Sequence, residues 1–397
     1  MENSIYPGLK RGANRRSFLK HGAVAAGAIG VGAALLQDPL AAFGQDDDDD
    51  HAPITKGDIA ILKFLQALET VEEDLWRQYA ELGGTKDSEF SGLTGGNTAY
   101  INSLLLLDGD MPQYIHDNTD DEISHARFIK NYLMSKGVTT ADLSPFRILP
   151  SSQANGAVKN AKRLTNLTQL TIDTSFWTRY RSITNPDFDP QAKFDFAVPT
   201  LNTGLHAAIP RTDTDTTNQE LMNAIAFTAG FHFAFIEQGG SSLYPTLALK
   251  VTNLEVLRIL LSIGPSETMH FQTWQDKAGN ANQGNPDLTV MDPVNGSTVT
   301  FTDLHVALGE SANETDNAGK VLQANLIMPE PTHFLDPKFG PVAIIRPTST
   351  KLNGAVAAVQ GFANDNLFLD PKTGKNTDIV DVLMDLAEKA DEARRSI

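Results

Sequence analysis

Glu122-Ile123-Ser124-His125 and Glu267-Thr268-Met269-His270 place the same two side chains, a carboxylate and an imidazole three residues apart, at two points 145 residues from each other. On a helix, three residues advance about 4.5 Å and leave the side chains about 60° apart around the axis, so each pair aims both groups in one direction. That is a metal-ligand spacing, and it requires both segments to be helical. One such pair can be accidental; two are much less so. Each is also preceded by another helical stretch with inward carboxylates, Glu69 and Glu72 before the first and Glu237 before the second. The order is Glu, Glu-x-x-His, Glu, Glu-x-x-His.

The flanking patterns predict four long helices. From Ile59 to Leu82, Ile61, Leu65, Leu68, Leu75 and Tyr79 form one stripe with Leu62 and Trp76 beside it, and Gly83-Gly84 ends the run. Glu69 and Glu72 lie inside the stripe, whereas Glu73 and Asp74 fall on its flank and are expected in solvent. The second helix is predicted from about Pro112 to Lys136, with Ile115, Asn118, Glu122, His125, Ile129 and Leu133 inward and His116 off that face. The third, Asn218 to Gln238, is apolar almost all round and therefore buried. Glu237 ends its apolar run, where an unpaired carboxylate would cost several kcal/mol, and His232 is expected as a hydrogen-bonded core histidine. Gly239-Gly240 either ends this helix or kinks it; if it continues, Tyr244 joins the face of Glu237. The fourth is predicted from Asn253 to Lys277, with Leu254, Leu257, Leu260, Leu261, Ile263, Glu267, His270 and Trp274 on its buried side. Pro265 is expected to kink or split it.

Residues 137–216, rich in Pro, Asp, Asn and Thr, are too long for a hairpin turn and suit a crossover between parallel second and third helices. Asp187, Asp189 and Asp195 lack calcium-loop spacing, so this insertion reads as structural covering. After Gly279, Leu288–Met291 and Thr298–Phe301 flank Asp292-Pro293-Val294-Asn295-Gly296-Ser297 as a β-hairpin, followed by helices over Gly354–Phe362 and Thr377–Arg395. The fold class is mainly α: a four-helix bundle over 54–278 with the insertion 137–216, and a C-terminal extension, 279–397, holding the β-hairpin and short helices.

Residues 1–44 read as an export signal. Asn14-Arg15-Arg16-Ser17-Phe18-Leu19-Lys20 precedes an apolar Gly/Ala-rich run, Gly22 to Leu36, that is shorter than the roughly 20 residues a membrane span needs. This resembles a twin-arginine signal, which implies export of a folded chain to the periplasm or beyond. Residues 45–53, with Asp46 to Asp50 unbroken, form an acidic linker. The chain carries a formal charge of −17, which argues against nucleic acid and anionic lipid as partners. It has no Cys, so disulfides, iron–sulfur clusters and thiolate zinc sites are excluded and any metal must be held by oxygen and nitrogen.

Four carboxylates and two imidazoles converging inside a bundle would leave about four negative charges in low dielectric, which two divalent cations neutralise. A Glu from each of two helices and Glu-x-x-His from the other two is the ligand pattern of carboxylate-bridged di-iron and di-manganese bundles. Iron and manganese suit this donor set better than magnesium or calcium. Leu68-Glu69-Thr70-Val71-Glu72 with Leu75-Trp76, Asp121-Glu122 with His125, Glu237 with Gly239 and Tyr244, and Glu267 with His270 resemble the bacterial ferritin-like domain proteins related to plant desiccation-related proteins. Pro329-Glu330-Pro331-Thr332 and Ile345-Arg346-Pro347-Thr348-Ser349 are similar to the tails of exported members. The resemblance implies a ferritin-like fold and a metal site drawn from Glu69, Glu72, Glu122, His125, Glu237, Glu267 and His270, with the choice between Glu69 and Glu72 in the first helix open. The expected cofactor is two iron or manganese ions, and the expected activity is oxidation–reduction of oxygen, peroxide or ferrous ion. A non-enzymatic envelope or stress-protective scaffold is the alternative. Expected partners are metal ions and the twin-arginine export machinery; self-association into a homo-oligomer stays open.

Overall fold

Thr55 starts the first helix with a reciprocal cap. Its hydroxyl accepts from Asp58 N at 3.1 Å while the Asp58 carboxylate accepts from Thr55 N at 3.0 Å. In the computed structural model, which describes residues 53–86, 95–180, 195–307 and 354–396, this helix is α1 (Lys56–Gly83). The export segment 1–44, all of the acidic linker but Pro53, Asp187, Asp189 and the tail segments at 329–332 and 345–349 lie outside the described residues.

A short α2 (Thr98–Leu104) leads to α3 (Met111–Ser135), which carries Pro112 in its first turn, where a missing N–H costs nothing. The crossover then holds β1 (Leu149–Pro150), antiparallel to β2 (Lys162–Arg163), and α4 (Ser175–Tyr180). It is followed by α5 (Gln219–Ala248) and α6 (Leu254–Gly279), each capped by the side chain of the preceding Asn, Asn218 or Asn253. β3 (Leu288–Met291) pairs antiparallel with β4 (Thr298–Phe301) in the expected hairpin. Then come α7 (Leu304–Ala307), α8 (Gly354–Asn364), the two-residue strands β5 (Leu369–Asp370) and β6 (Lys375–Asn376), and α9 (Ile379–Glu392).

Hydrogen bonds at the ends of the bundle fix the helix directions. Asp58, at the start of α1, accepts from Thr252 N at 2.9 Å in the α5–α6 turn, and Lys136, just past α3, pairs with Glu255 in the first turn of α6 at 2.8 Å. At the other end Thr85 N donates to Pro112 O, and Asn280 Nδ2 donates to Leu107 O. One end therefore gathers the start of α1, the end of α3, the end of α5 and the start of α6. α3 and α5 run parallel, and the crossover between them spans the bundle as expected.

Several local expectations are corrected. α5 does not end at Gly239-Gly240 but continues to Ala248, and α6 is not split at Pro265 but continues to Gly279. Asp74 is fully buried rather than solvated: it pairs with Arg147 and accepts from Leu164 N, Thr165 N and the Thr165 hydroxyl at 2.8–3.0 Å. Leu254 and Leu261 lie on the outer face of α6, the latter 58% exposed, while Val256, Leu260, Ile263, Glu267, His270 and Trp274 point inward. Among the described residues, no helix is long and apolar enough to cross a membrane.

Candidate metal centre

Each of the four long helices contributes to one buried cluster midway along the bundle. α1 supplies Glu69, α3 supplies Glu122 and His125, α5 supplies Glu237, and α6 supplies Glu267 and His270. Helical spacing puts the α3 and α6 pairs on their inner faces, and antiparallel packing brings them together, with the two imidazole ring centres 6.4 Å apart.

The donor atoms fall into two quartets. Glu69, Glu122, His125 and Glu267 form one, and Glu122, Glu237, Glu267 and His270 the other, each with one ligand atom per residue all within 4.8 Å of one another. Glu122 and Glu267 belong to both. His125 Nδ1 lies 3.4 Å from Glu69 Oε2, 3.2 Å from Glu122 Oε2 and 3.2 Å from Glu267 Oε1. His270 Nδ1 lies 3.2 Å from Glu122 Oε1 and 3.3 Å from Glu237 Oε2. One ring nitrogen carries at most one proton, so it cannot satisfy two or three carboxylates. Glu69 Oε2 and both oxygens of Glu267 are buried without a hydrogen-bond donor. This donor set fits cations, which can serve all of these oxygens at once.

The far side of each imidazole fixes its tautomer. Ser266 Oγ lies 3.2 Å from His125 Nε2 and already donates its own proton to Ile263 O, so it accepts from Nε2–H, and Nδ1 is the nitrogen whose lone pair a cation would take up once the ring is neutral. Asp121 Oδ2 accepts from His270 Nε2 at 2.9 Å and does the same for that ring. The carboxylates are held in turn. Trp76 Nε1 donates to Glu237 Oε1 at 2.9 Å, Asn118 Nδ2 bridges Glu122 and Glu237 at 3.0 Å each, and Trp274 Nε1 orients Asn118 at 2.6 Å. The Tyr244 hydroxyl donates to Glu69, which the unbroken course of α5 makes geometrically available.

Burial sets the charge states of the metal-free cluster. Desolvation lifts Glu69 to about 7 and pushes Glu237 and Glu267 upward, while the two imidazoles hold Glu122 below its ordinary value. The facing carboxylates raise both imidazoles. Glu72 is buried beside the cluster, where desolvation and then the charges of Glu69, Glu267, Glu122 and Glu237 push its carboxyl well up, but it belongs to neither quartet. Of the two candidates in the first helix, Glu69 belongs to a quartet and Glu72 lies beside it. His116 is buried outside both quartets, and His232 is a core histidine hydrogen-bonded to Tyr79. Asp121 and Ser266 were not legible as partners of the imidazoles. Each is the residue before a cluster glutamate, a position that helical spacing assigns to another face. A cleft of about 700 Å³ between α3 and α6, walled by Phe128, Tyr132, Ile259 and Ile263, reaches His125 from outside.

The fold and the site define a ferritin-like bundle with a buried carboxylate–imidazole cluster. The ferritin-like domain family matches residues 57–280, more than half of the chain, and the chain belongs to that family. A search of curated proteins and a search of solved structures each returned no match.

Proposed function

We propose that this is an exported ferritin-like protein whose bundle holds two iron or manganese ions in a carboxylate-bridged centre, and that it is an oxidoreductase acting on dioxygen, peroxide or ferrous ion. The observation that carries the reading is the sharing of Glu122 and Glu267 between two quartets, since a shared carboxylate is what joins two cations into one centre. Glu122 and Glu267 would be held in common by the two ions, with Glu69 and His125 available to one and Glu237 and His270 to the other. Four carboxylates and two neutral imidazoles balance two divalent cations, provided that Glu72 keeps its proton, which its surroundings favour. When bound, the two ions supply paired one-electron steps and Lewis acidity.

The chain does the rest. Ser266 and Asp121 keep both Nδ1 lone pairs inward, Trp76 and Asn118 hold Glu237 in place, and Tyr244 holds Glu69. Glu72 keeps an acidic proton within the water-excluding shell, and the cleft at His125 admits small molecules. Export rests on Arg15-Arg16 and the apolar run that follows, and passage in the folded state would let metal be loaded before export. Kinship with desiccation-related proteins rests on the motif resemblance alone.

Elemental analysis of protein expressed through its own export route should find about two transition-metal ions per chain. Well under one per chain counts against the centre. A loaded protein that turns over neither ferrous ion nor peroxide keeps the centre and removes the oxidoreductase reading.

A further inference from the structure

Tyr79 and His232 form a polar pair buried in an otherwise apolar part of the bundle, outside the carboxylate cluster. Both are fully buried, and the Tyr79 hydroxyl lies 2.7 Å from His232 Nδ1. His232 Nε2 has no hydrogen-bond partner among the described residues. An unsatisfied buried nitrogen costs about 1–3 kcal/mol, and two apolar side chains would fill the same volume without that loss. Packing alone does not account for the pair.

Its surroundings connect it to the cluster. The Tyr79 ring lies 5.6 Å from the Trp76 ring, centre to centre, and Phe233 touches both, at 4.5 Å from Tyr79 and 4.9 Å from Trp76. Trp76 donates its indole N–H to Glu237 at 2.9 Å. A continuous path therefore runs from a cluster carboxylate through an indole to a phenol hydrogen-bonded to an imidazole; the tautomer with its proton on Nε2 lets the phenol donate and leaves only one polar group of the pair unpartnered. Phenols are oxidised by one electron far more readily when the proton has somewhere to go, because a neutral phenoxyl radical replaces a radical cation in low dielectric.

We propose that Tyr79 and His232 are a one-electron redox site, Tyr79 passing an electron through Trp76 to the oxidised centre while its hydroxyl proton moves to His232 Nδ1. The O–H bond breaks and an N–H bond forms. The phenol loses one electron and one proton, the centre gains the electron, and the imidazole becomes imidazolium. Dioxygen or a peroxide is the terminal oxidant. Burial keeps His232 neutral at rest, with its own pKa depressed to about 3, so the Nδ1 lone pair is free to take the proton and returns it when Tyr79 is reduced again. The pair supplies a further electron beyond those of the metal ions. The link to the centre rests on the metal reading above; the pair itself does not.

Two measurements on the full chain separate these parts. In the first, protein incubated with zinc, which does not change valence, is oxidised by a flash-generated ruthenium polypyridyl oxidant, and the product is read by electron paramagnetic resonance. A tyrosyl signal is expected that disappears in Tyr79→Phe and survives in Tyr100→Phe, a buried phenol that donates to Ala208 O away from the cluster. Because positioned proton acceptors accelerate transfer by about 10²–10⁴, His232→Phe should lower its yield by roughly tenfold or more. A signal that survives Tyr79→Phe, or no tyrosyl signal at all, overturns the pair. Tyr79→Phe removes one oxygen, and a melting curve close to the parent's verifies that the variant is folded. In the second, iron-loaded reduced protein of measured metal content is mixed with dioxygen and freeze-quenched. The same Tyr79 signal is expected, and Trp76→Phe should suppress it there while leaving the zinc-protein signal in place. Metal present without that signal overturns the link through Trp76. A chain that takes up no metal overturns the proposed function and leaves the first measurement to judge the pair.

Discussion

Five carboxyl groups, Glu69, Glu72, Glu122, Glu237 and Glu267, share one buried volume with two imidazoles, so the metal-free site must hold extra protons. Glu69 rises from 4.5 to about 7, and Glu72, Glu237 and Glu267 rise with it. A carboxyl whose folded pKa exceeds its unfolded one binds more protons when folded. Its stabilising contribution is complete below the unfolded value and is lost as pH climbs through the folded value. The metal-free protein should therefore melt at falling temperature from about pH 4.5 to 7, and the raised imidazoles carry the decline on above 6.5. Bound cations displace these protons, so the metal-loaded curve should stay flat or rise over the same window. Melting curves with chelator and with metal test this, and a metal-free melting temperature that climbs with pH through this window contradicts it. For the same reason Glu267→Gln should stabilise the metal-free chain by about 1–3 kcal/mol while lowering metal content. The six clustered carboxylates and imidazoles were legible because they obey the helical repeat. Asp74 was not: its partners Arg147, Leu164 and Thr165 come from the crossover, and no local pattern in α1 records them.

At the scale of the helix, α5 and α6 approach closely, with a glycine of each facing a side chain of the other. A Cβ on Gly240 would sit 2.6 Å from Glu267 Oε2 and 3.2 Å from its Cδ, and one on Gly264 would sit 2.7 Å from Tyr244 Cβ. Gly239-Gly240, from which the sequence allowed a helix end, a kink or a continuation to Tyr244, is where α5 continues and makes room for a carboxylate of α6. The helix continues because packing outweighs the roughly 1 kcal/mol that each glycine costs against alanine. Gly240→Ala separates the two roles. Alanine favours the helix, so the metal-free protein should melt no lower than the parent, yet Glu267 must rotate away and metal affinity should fall by about tenfold or more, a change of about 1.4 kcal/mol. Isothermal titration with metal, paired with melting curves under chelator, distinguishes this from simple misfolding; unchanged affinity would mean that Glu267 is free to adjust. Pro265 was expected to kink or split α6, and the helix is not split, its inner face being buried from Val256 to Trp274.

Across the whole molecule, parallel α3 and α5 force the chain to travel the length of the bundle, and the crossover that does so is clamped to α1 from outside. Arg163, beside β1 in the crossover, pairs with Glu81 of α1, its Nη2 lying 2.5 Å and 2.7 Å from the two carboxylate oxygens, and Glu81 Oε2 also accepts from Val158 N at 2.9 Å. Both side chains are only 7% exposed. At the other end of the chain, Asp391 in α9 accepts from Ala355 N and Val356 N at the start of α8 and pairs with Lys250 after α5, tying the last helices to the bundle. Neither tie could be read from the sequence, since the partners lie 82 residues apart in one case and 141 in the other. Removing one member of a buried ion pair leaves the other charge without compensation, whereas removing both does not. Arg163→Ala should therefore destabilise the chain by about 3–5 kcal/mol in denaturant unfolding, and Arg163→Met combined with Glu81→Gln, which keeps an acceptor for Val158 N, should recover most of that loss. Metal content per folded chain should stay at the parent value in both, because neither residue touches the cluster. If Arg163→Ala cost no more than an exposed pair, under about 1 kcal/mol, the crossover would be resting on the bundle rather than holding it.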